Sequence, residues 1–154
     1  TTISSSRVQV VGDLHLRSAL TASGNAILIE NANSTPLLTV KNTNDILISN
    51  ALLKSYVVNN IGTGLNTIAT YSGIIYQGGF VNYHISSLTN SITGQMMISY
   101  NTASNILNYT EVTSVDIGDT SAVNVYATMS NTDINIVLSI NSGTWNAKTF
   151  INAL

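Results

Sequence analysis

The sequence predicts an all-β protein: a short intertwined β stalk or collar over residues 1–53, then an antiparallel, jelly-roll-like β-sandwich over residues 54–154. Three observations predict it. Short β-rich runs bounded by Asn, Gly, Ser and Thr recur along the chain. Helical signals, a capping residue followed by apolar spacing of i, i+3, i+4, are scarce. The longest runs alternate strictly between apolar and polar residues, as a strand buried on one face must.

The elements follow in order. The chain starts Thr1-Thr2-Ile3-Ser4-Ser5-Ser6 without Met, and residues 1–6 read as a lead-in from an upstream segment. Val8 to Val11 and Leu14 to Leu16 flank Gly12-Asp13. Three units follow: Ile27-Leu28-Ile29-Glu30-Asn31, Leu38-Thr39-Val40-Lys41-Asn42 and Ile46-Leu47-Ile48-Ser49-Asn50. Each is three β-formers closing on a polar residue and Asn, with the Asn positions 11 and then 8 residues apart. Units this short bury no core alone and need neighbours to stack on. They form a collar shared by several chains or a plain β-meander opening one domain. Ala51-Leu52-Leu53-Lys54 is the one stretch suited to a helical turn.

From residue 54 the strands lengthen. The candidates are Tyr56–Val58, Asn66–Tyr71, Ile74–Tyr76, Gly79–Ser86, Gln95–Tyr100, Ile106–Val115, Ala122–Met129, Ile134–Ile140 and Trp145–Ile151. Nine strands in about 100 residues is the density of a sandwich or jelly roll. Val123, Val125, Ala127 and Met129 share one face; so do Ile134, Ile136, Leu138 and Ile140, and Trp145, Ala147, Thr149 and Ile151. Ser130-Asn131-Thr132-Asp133 reads as a hairpin turn and Asn141-Ser142-Gly143 as a second. The last three strands are expected to form a meander.

Composition restricts function. Charged residues are 8% of the chain, against about 25% in ordinary soluble domains. Their place is taken by 20 Asn, 19 Thr and 19 Ser. Five basic and seven acidic residues leave no cationic footprint for nucleic acid. No apolar run reaches the length of a membrane-spanning helix, so no membrane insertion is expected. There is no Cys for a disulfide or a thiolate metal site. Strand edges lack guarding charge, which favours pairing with further copies of the chain and a symmetric homo-oligomer.

Chemistry is sparse. His15 and His84 have no metal-site spacing around them, and no Gly-x-Ser-x-Gly elbow is present. Glu111, Asp116, Asp119 and Asp133 are the acids available for glycoside hydrolysis or Ca²⁺, but Asp116 and Asp119 bracket Ile117-Gly118, which reads as a turn. Gly62-Thr63-Gly64 lacks the later Gly and the Lys of a phosphate loop. No catalytic, cofactor or metal residue is therefore assigned, and the chain is expected to be no enzyme. Tyr76, Tyr83, Tyr100, Tyr109 and Tyr126, together with Tyr71, are placed on polar or boundary faces. The first five are the candidate receptor contacts, because an Asn/Tyr/Thr-rich surface suits a neutral glycan. Trp145 is assigned to the core.

Glu111-Val112-Thr113-Ser114-Val115-Asp116-Ile117-Gly118-Asp119-Thr120-Ser121-Ala122-Val123-Asn124-Val125, followed by Ile134–Ile140 and Thr144–Phe150, resembles the C-terminal β domains of tailed-phage fibres and virion decoration proteins. Val10-Val11-Gly12-Asp13-Leu14-His15-Leu16 resembles the strand-turn units of phage fibre shafts. The close match covers about half the chain, and the ending Ile151-Asn152-Ala153-Leu154 lacks the basic pair of many such domains. The resemblance implies a homotrimer on the virion, its N-terminal side toward other virion proteins and its C-terminal domain outward. It would contact a host-surface glycan or protein. The apolar pairs Ile27/Ile29, Leu38/Val40 and Ile46/Ile48 would then form the trimer core. A monomeric lectin-like carbohydrate-binding module is the alternative.

Overall fold

A computed structural model describes residues 25–31, 33–41 and 45–154, with side chains from residue 27 onward. The lead-in 1–6, the units at 8–16 and His15 lie outside the described residues. Among these the regular structure is entirely β: β1 (Asn25–Glu30), β2 (Pro36–Lys41), β3 (Ile46–Ile48), β4 (Ala51–Ile61), β5 (Gly64–Ser72), β6 (Gly78–Ser86), β7 (Ser91–Asn101), β8 (Ile106–Thr113), β9 (Val123–Ser130), β10 (Asp133–Ile140) and β11 (Trp145–Ala153).

The strands form two antiparallel sheets. The larger has eight strands in the order β1-β2-β3-β4-β11-β6-β7-β8, and the smaller has three in the order β5-β10-β9. The arrangement is sandwich-like, as the alternation requires. Inward residues of β10 (Ile134, Ile136, Leu138, Ile140) meet those of β5 (Ile68, Tyr71) and β9 (Val125, Ala127) in one core. Val81 and Ile85 of β6, Met96, Ile98 and Tyr100 of β7 and Trp145, Ala147 and Ile151 of β11 close it from the other side. A fully buried Ile or Leu stabilises the fold by about 1.5–3 kcal/mol relative to exposure, so this cluster is the main source of stability.

The N-terminal units become β1, β2 and β3, a meander that continues onto β4 as part of the large sheet. Two of their closing Asn residues, Asn31 and Asn50, serve turns. The Asn31 side chain accepts from the backbone N–H groups of Asn33 and Thr35 at 2.9 and 3.0 Å. Ser49 and Asn50 are the two-residue loop between β3 and β4, with Ser49 at φ 55°. Residues 53 and 54 both lie inside β4.

Three expectations are corrected. Ala51–Lys54 is strand, not a helical turn: Leu52 is buried and Ala51 and Leu53 face outward, a period of two. Ile74–Tyr76 is not a strand. It is the corner from β5 in the small sheet to β6 in the large one, with Ile74 and Ile75 exposed. That corner is tied by Gly73, whose N–H donates to the Thr132 carbonyl at 2.8 Å. A Cβ at Gly73 would press on that carbonyl and on the Tyr100 ring at 3.0 Å. Finally, β9, β10 and β11 are not a meander. β9 and β10 form the expected hairpin around Asn131 (φ 55°), but β11 crosses to the large sheet and inserts between β4 and β6.

Candidate functional site

Two features remain once the core is accounted for: a cleft at one end of the sandwich and the outer face of the large sheet.

The cleft lies where three loops converge: 87–90 between β6 and β7, 114–122 between β8 and β9, and 141–144 between β10 and β11. It has a volume of about 200 Å³ and is lined by Ser87, Asn90, Asp119, Ala122, Ser142, Gly143, Thr144 and Trp145. Backbone bonds tie the loops to one another. Ser91 and Ile117 exchange N–H···O bonds at 2.9 Å, and the Asn141 N–H donates to the Ala122 carbonyl at 2.8 Å. Asn90 links two of them, since its Oδ1 accepts from the Asp119 N–H at 3.1 Å. Gly118 makes room for that link. Its φ is +72°, and a Cβ there would collide with Asn90 Oδ1. The Gly-Asp-Thr-Ser turn of residues 118–121 is thus a clamp on a neighbouring loop, a role that no local pattern announces.

The electrostatics of the cleft are simple. Asp119 is exposed, and hydrogen bonds from the hydroxyl and backbone N–H of Ser121 hold its carboxyl below the usual carboxylate range. The Asp119 carboxylate accepts from the Ser121 N–H at 2.9 Å. Among the described residues no cationic side chain lines the cleft. Trp145 is buried beside it and donates its indole N–H to the Ser142 carbonyl at 3.0 Å.

The other acids are engaged elsewhere. Asp116 accepts from the Thr120 hydroxyl. Glu111 accepts from the Tyr83 hydroxyl. Asp133 stands at the β9–β10 turn. Among the described residues no group of three or more His, Asp or Glu is placed to share a metal ion. His84 lies on the outer face of the large sheet, with its Nδ1 2.9 Å from Thr93 Oγ1.

The five candidate tyrosines do not converge. Tyr76, Tyr83 and Tyr100 are buried, which corrects their placement on a contact surface. Strand alternation explains two of them: Tyr83 shares its face with Val81 and Ile85, and Tyr100 with Met96 and Ile98. The Tyr83 ring lies over Gly94, where a Cβ would overlap it, and burial followed by Glu111 pushes its hydroxyl pKa up. Tyr109 is half-exposed on edge strand β8, and Tyr126 is half-buried on the solvent side of the small sheet, opposite Val137. Tyr71, on the polar-face list as well, is buried.

The outer face of the large sheet carries the second feature. Ladder registers put Val40 between Ile27 and Ile46, and Leu38 between Ile29 and Ile48. Leu53 and Ala51 continue this face on β4, and Val57 lies farther along the same strand. Phe150, Phe80 and Met97 extend it across β11, β6 and β7. All six residues expected to form a trimer core therefore share one face. Ile29 and Ile48 are 48% and 51% exposed, and Ile27, Leu38 and Val40 are half-buried. The opposite face of the same strands carries Thr39, Leu47 and Leu52 toward the core side.

No family model matches the chain, and no curated protein matches it. Among solved structures it is similar to the tailspike protein of Acinetobacter baumannii phage AM24, with 11% identity and a TM-score of 0.33, over 68% of this chain and 26% of the tailspike. The chain therefore spans about a quarter of that tailspike's length. Similarity at this level assigns neither fold nor function.

Proposed function

We propose that the chain is a non-enzymatic structural component of a phage virion, a tail fibre, head fibre or capsid decoration. In this reading it assembles as a homotrimer, faces other virion proteins with its N-terminal side and displays the sandwich for contact with a host-surface glycan or protein. The observation that carries the reading is the outer face of β1–β4. Ile29, Ile46 and Ile48 stand at 39% exposure or more on neighbouring strands of one face, in rows with Ile27, Leu38, Val40 and Leu53. Soluble monomers rarely expose a continuous apolar surface of this kind, and covering it by further copies of the chain removes it from water. The phage setting rests on the sequence resemblance to fibre and decoration domains. Attachment would be multivalent: three weak sites on one rigid body gain avidity through effective concentration.

Solution mass tests the assembly. Light scattering after size exclusion is expected to give about 49 kDa, three times 16.3 kDa. Ile48→Lys adds a charge at a position already half-exposed in the single chain, so the fold should persist while the trimer dissociates. A wild-type chain that stays at 16.3 kDa at every concentration overturns the trimer and favours the lectin-like module.

A further inference from the structure

We propose that the cleft between loops 87–90, 114–122 and 141–144 is the binding site for one ring of a neutral saccharide. This rests on the reading of the chain as an attachment domain and names the chemistry of what it attaches to.

The lining is a set of polar groups suited to hydroxyls. Asp119 offers a carboxylate, kept ionised by Ser121 and open to solvent. Asn90, which also lines the cleft, has its oxygen engaged by the Asp119 N–H, which leaves its amide NH₂ as the donor. Ser87, Ser142 and Thr144 supply hydroxyls that donate or accept as a ligand demands. Sugar hydroxyls both donate and accept, so a carboxylate beside an amide NH₂ can bind two adjacent ones cooperatively. Ala122 and the edge of the buried Trp145 give the cleft its small apolar part.

Charge narrows the ligand. An ionised carboxylate with no cation in the lining repels phosphate, sulfate and carboxylated sugars. Size narrows it further: about 200 Å³ is below the range of pockets that enclose drug-sized ligands, so one ring enters and the rest of a chain stays outside. The geometry is also set in advance. The Asn90 clamp across Gly118, the Ser91–Ile117 bridge and the Asn141–Ala122 bond fix all three loops, so little ordering entropy is left for the ligand to supply.

The test is titration of the isotope-labelled full chain with neutral monosaccharides (glucose, galactose, mannose, N-acetylglucosamine, rhamnose) and with sialic acid, followed by amide chemical shifts. At least one neutral sugar is expected to move the amides of residues 87–90, 118–122 and 142–145 together. Sialic acid should move them less. Asp119→Asn should weaken that sugar about tenfold, the loss of a hydrogen bond to a charged group. Thr144→Val, an exposed position whose change leaves the Ser121 bonds intact, provides the second variant should Asp119→Asn disturb the loop. No shift in these loops with any neutral sugar, or shifts that both variants leave unchanged, overturns the proposal. A trimer with a silent cleft overturns this inference alone, whereas a sugar-binding monomer overturns the trimer alone.

Discussion

Two buried hydroxyls show what each residue does for the fold. Thr149 sits on the core face of β11, buried between Tyr56 and Tyr83 of the flanking strands, and its Oγ1 has no hydrogen-bond partner among the described residues. An unsatisfied buried hydroxyl costs free energy, and Val has the same shape without it. Thr149→Val is therefore expected to stabilise the protein by about 1 kcal/mol, raising the thermal midpoint by about 2–4 °C. Calorimetry of the two proteins checks it, and an unchanged or lowered midpoint would place an acceptor or a water at that hydroxyl. The same residue shows what alternation makes legible. Thr149 falls between Ala147 and Ile151, so its burial follows from a period of two despite its polarity. Tyr83 and Tyr100 carry an equally clear period, but a hydroxyl on an aromatic ring reads as a boundary residue. Only the neighbouring strands show that the Tyr83 ring fills the gap above Gly94 and that its hydroxyl reaches Glu111.

At the scale of elements, strand existence is legible and connection is not. The alternating runs of β9, β10 and β11 follow from residue pattern alone. That β10 leads to a strand in the other sheet does not, because a turn such as Asn141-Ser142-Gly143 has the same local chemistry whether it reverses a strand or lifts it across the core. The cleft is lost for the same reason: its three loops are far apart in sequence and meet only through the crossover. Hairpins, in contrast, are local. Two of them, Ser49-Asn50 and Asn131-Thr132, are two-residue loops with positive φ at the first position, 55° in each case. Gly is favoured there because it lacks the Cβ that crowds this backbone. Asn tolerates the conformation better than Ser. Ser49→Gly is thus expected to stabilise the β3–β4 hairpin by about 0.5–1 kcal/mol, and Asn131→Gly by less. Denaturant midpoints for both variants test the order, and equal effects would refute the local argument.

Over the whole molecule, pH reaches stability through buried or paired groups that lose a proton in alkali. Burial pushes the Tyr71 hydroxyl up to about 12 from 10.0. Tyr76 is raised by burial and then by the Asp45 carboxylate, and Tyr83 by burial and then by Glu111. Lys54 moves the same way: partial burial lowers its pKa, but Asp45, 2.6 Å away, and Tyr56 outweigh it. In each case the folded chain keeps a proton that the unfolded chain gives up first. Between the unfolded and folded pKa values the native state binds more protons, so stability falls as pH rises. Tyr71 alone accounts for about 2 kcal/mol of loss from pH 10 toward 12. Unfolding free energy is therefore expected to decline steeply above about pH 10, with Tyr71→Phe keeping part of what the wild type loses. Denaturation curves from pH 7 to 12, with tyrosinate absorbance followed in parallel, measure both. If the tyrosines ionise at their ordinary pKa while the fold persists, the burial argument for Tyr71, Tyr76 and Tyr83 fails together. If Tyr71→Phe declines as steeply as the wild type, the loss belongs to Tyr83 and to the Lys54 pair that joins β4 to Asp45 beside β3.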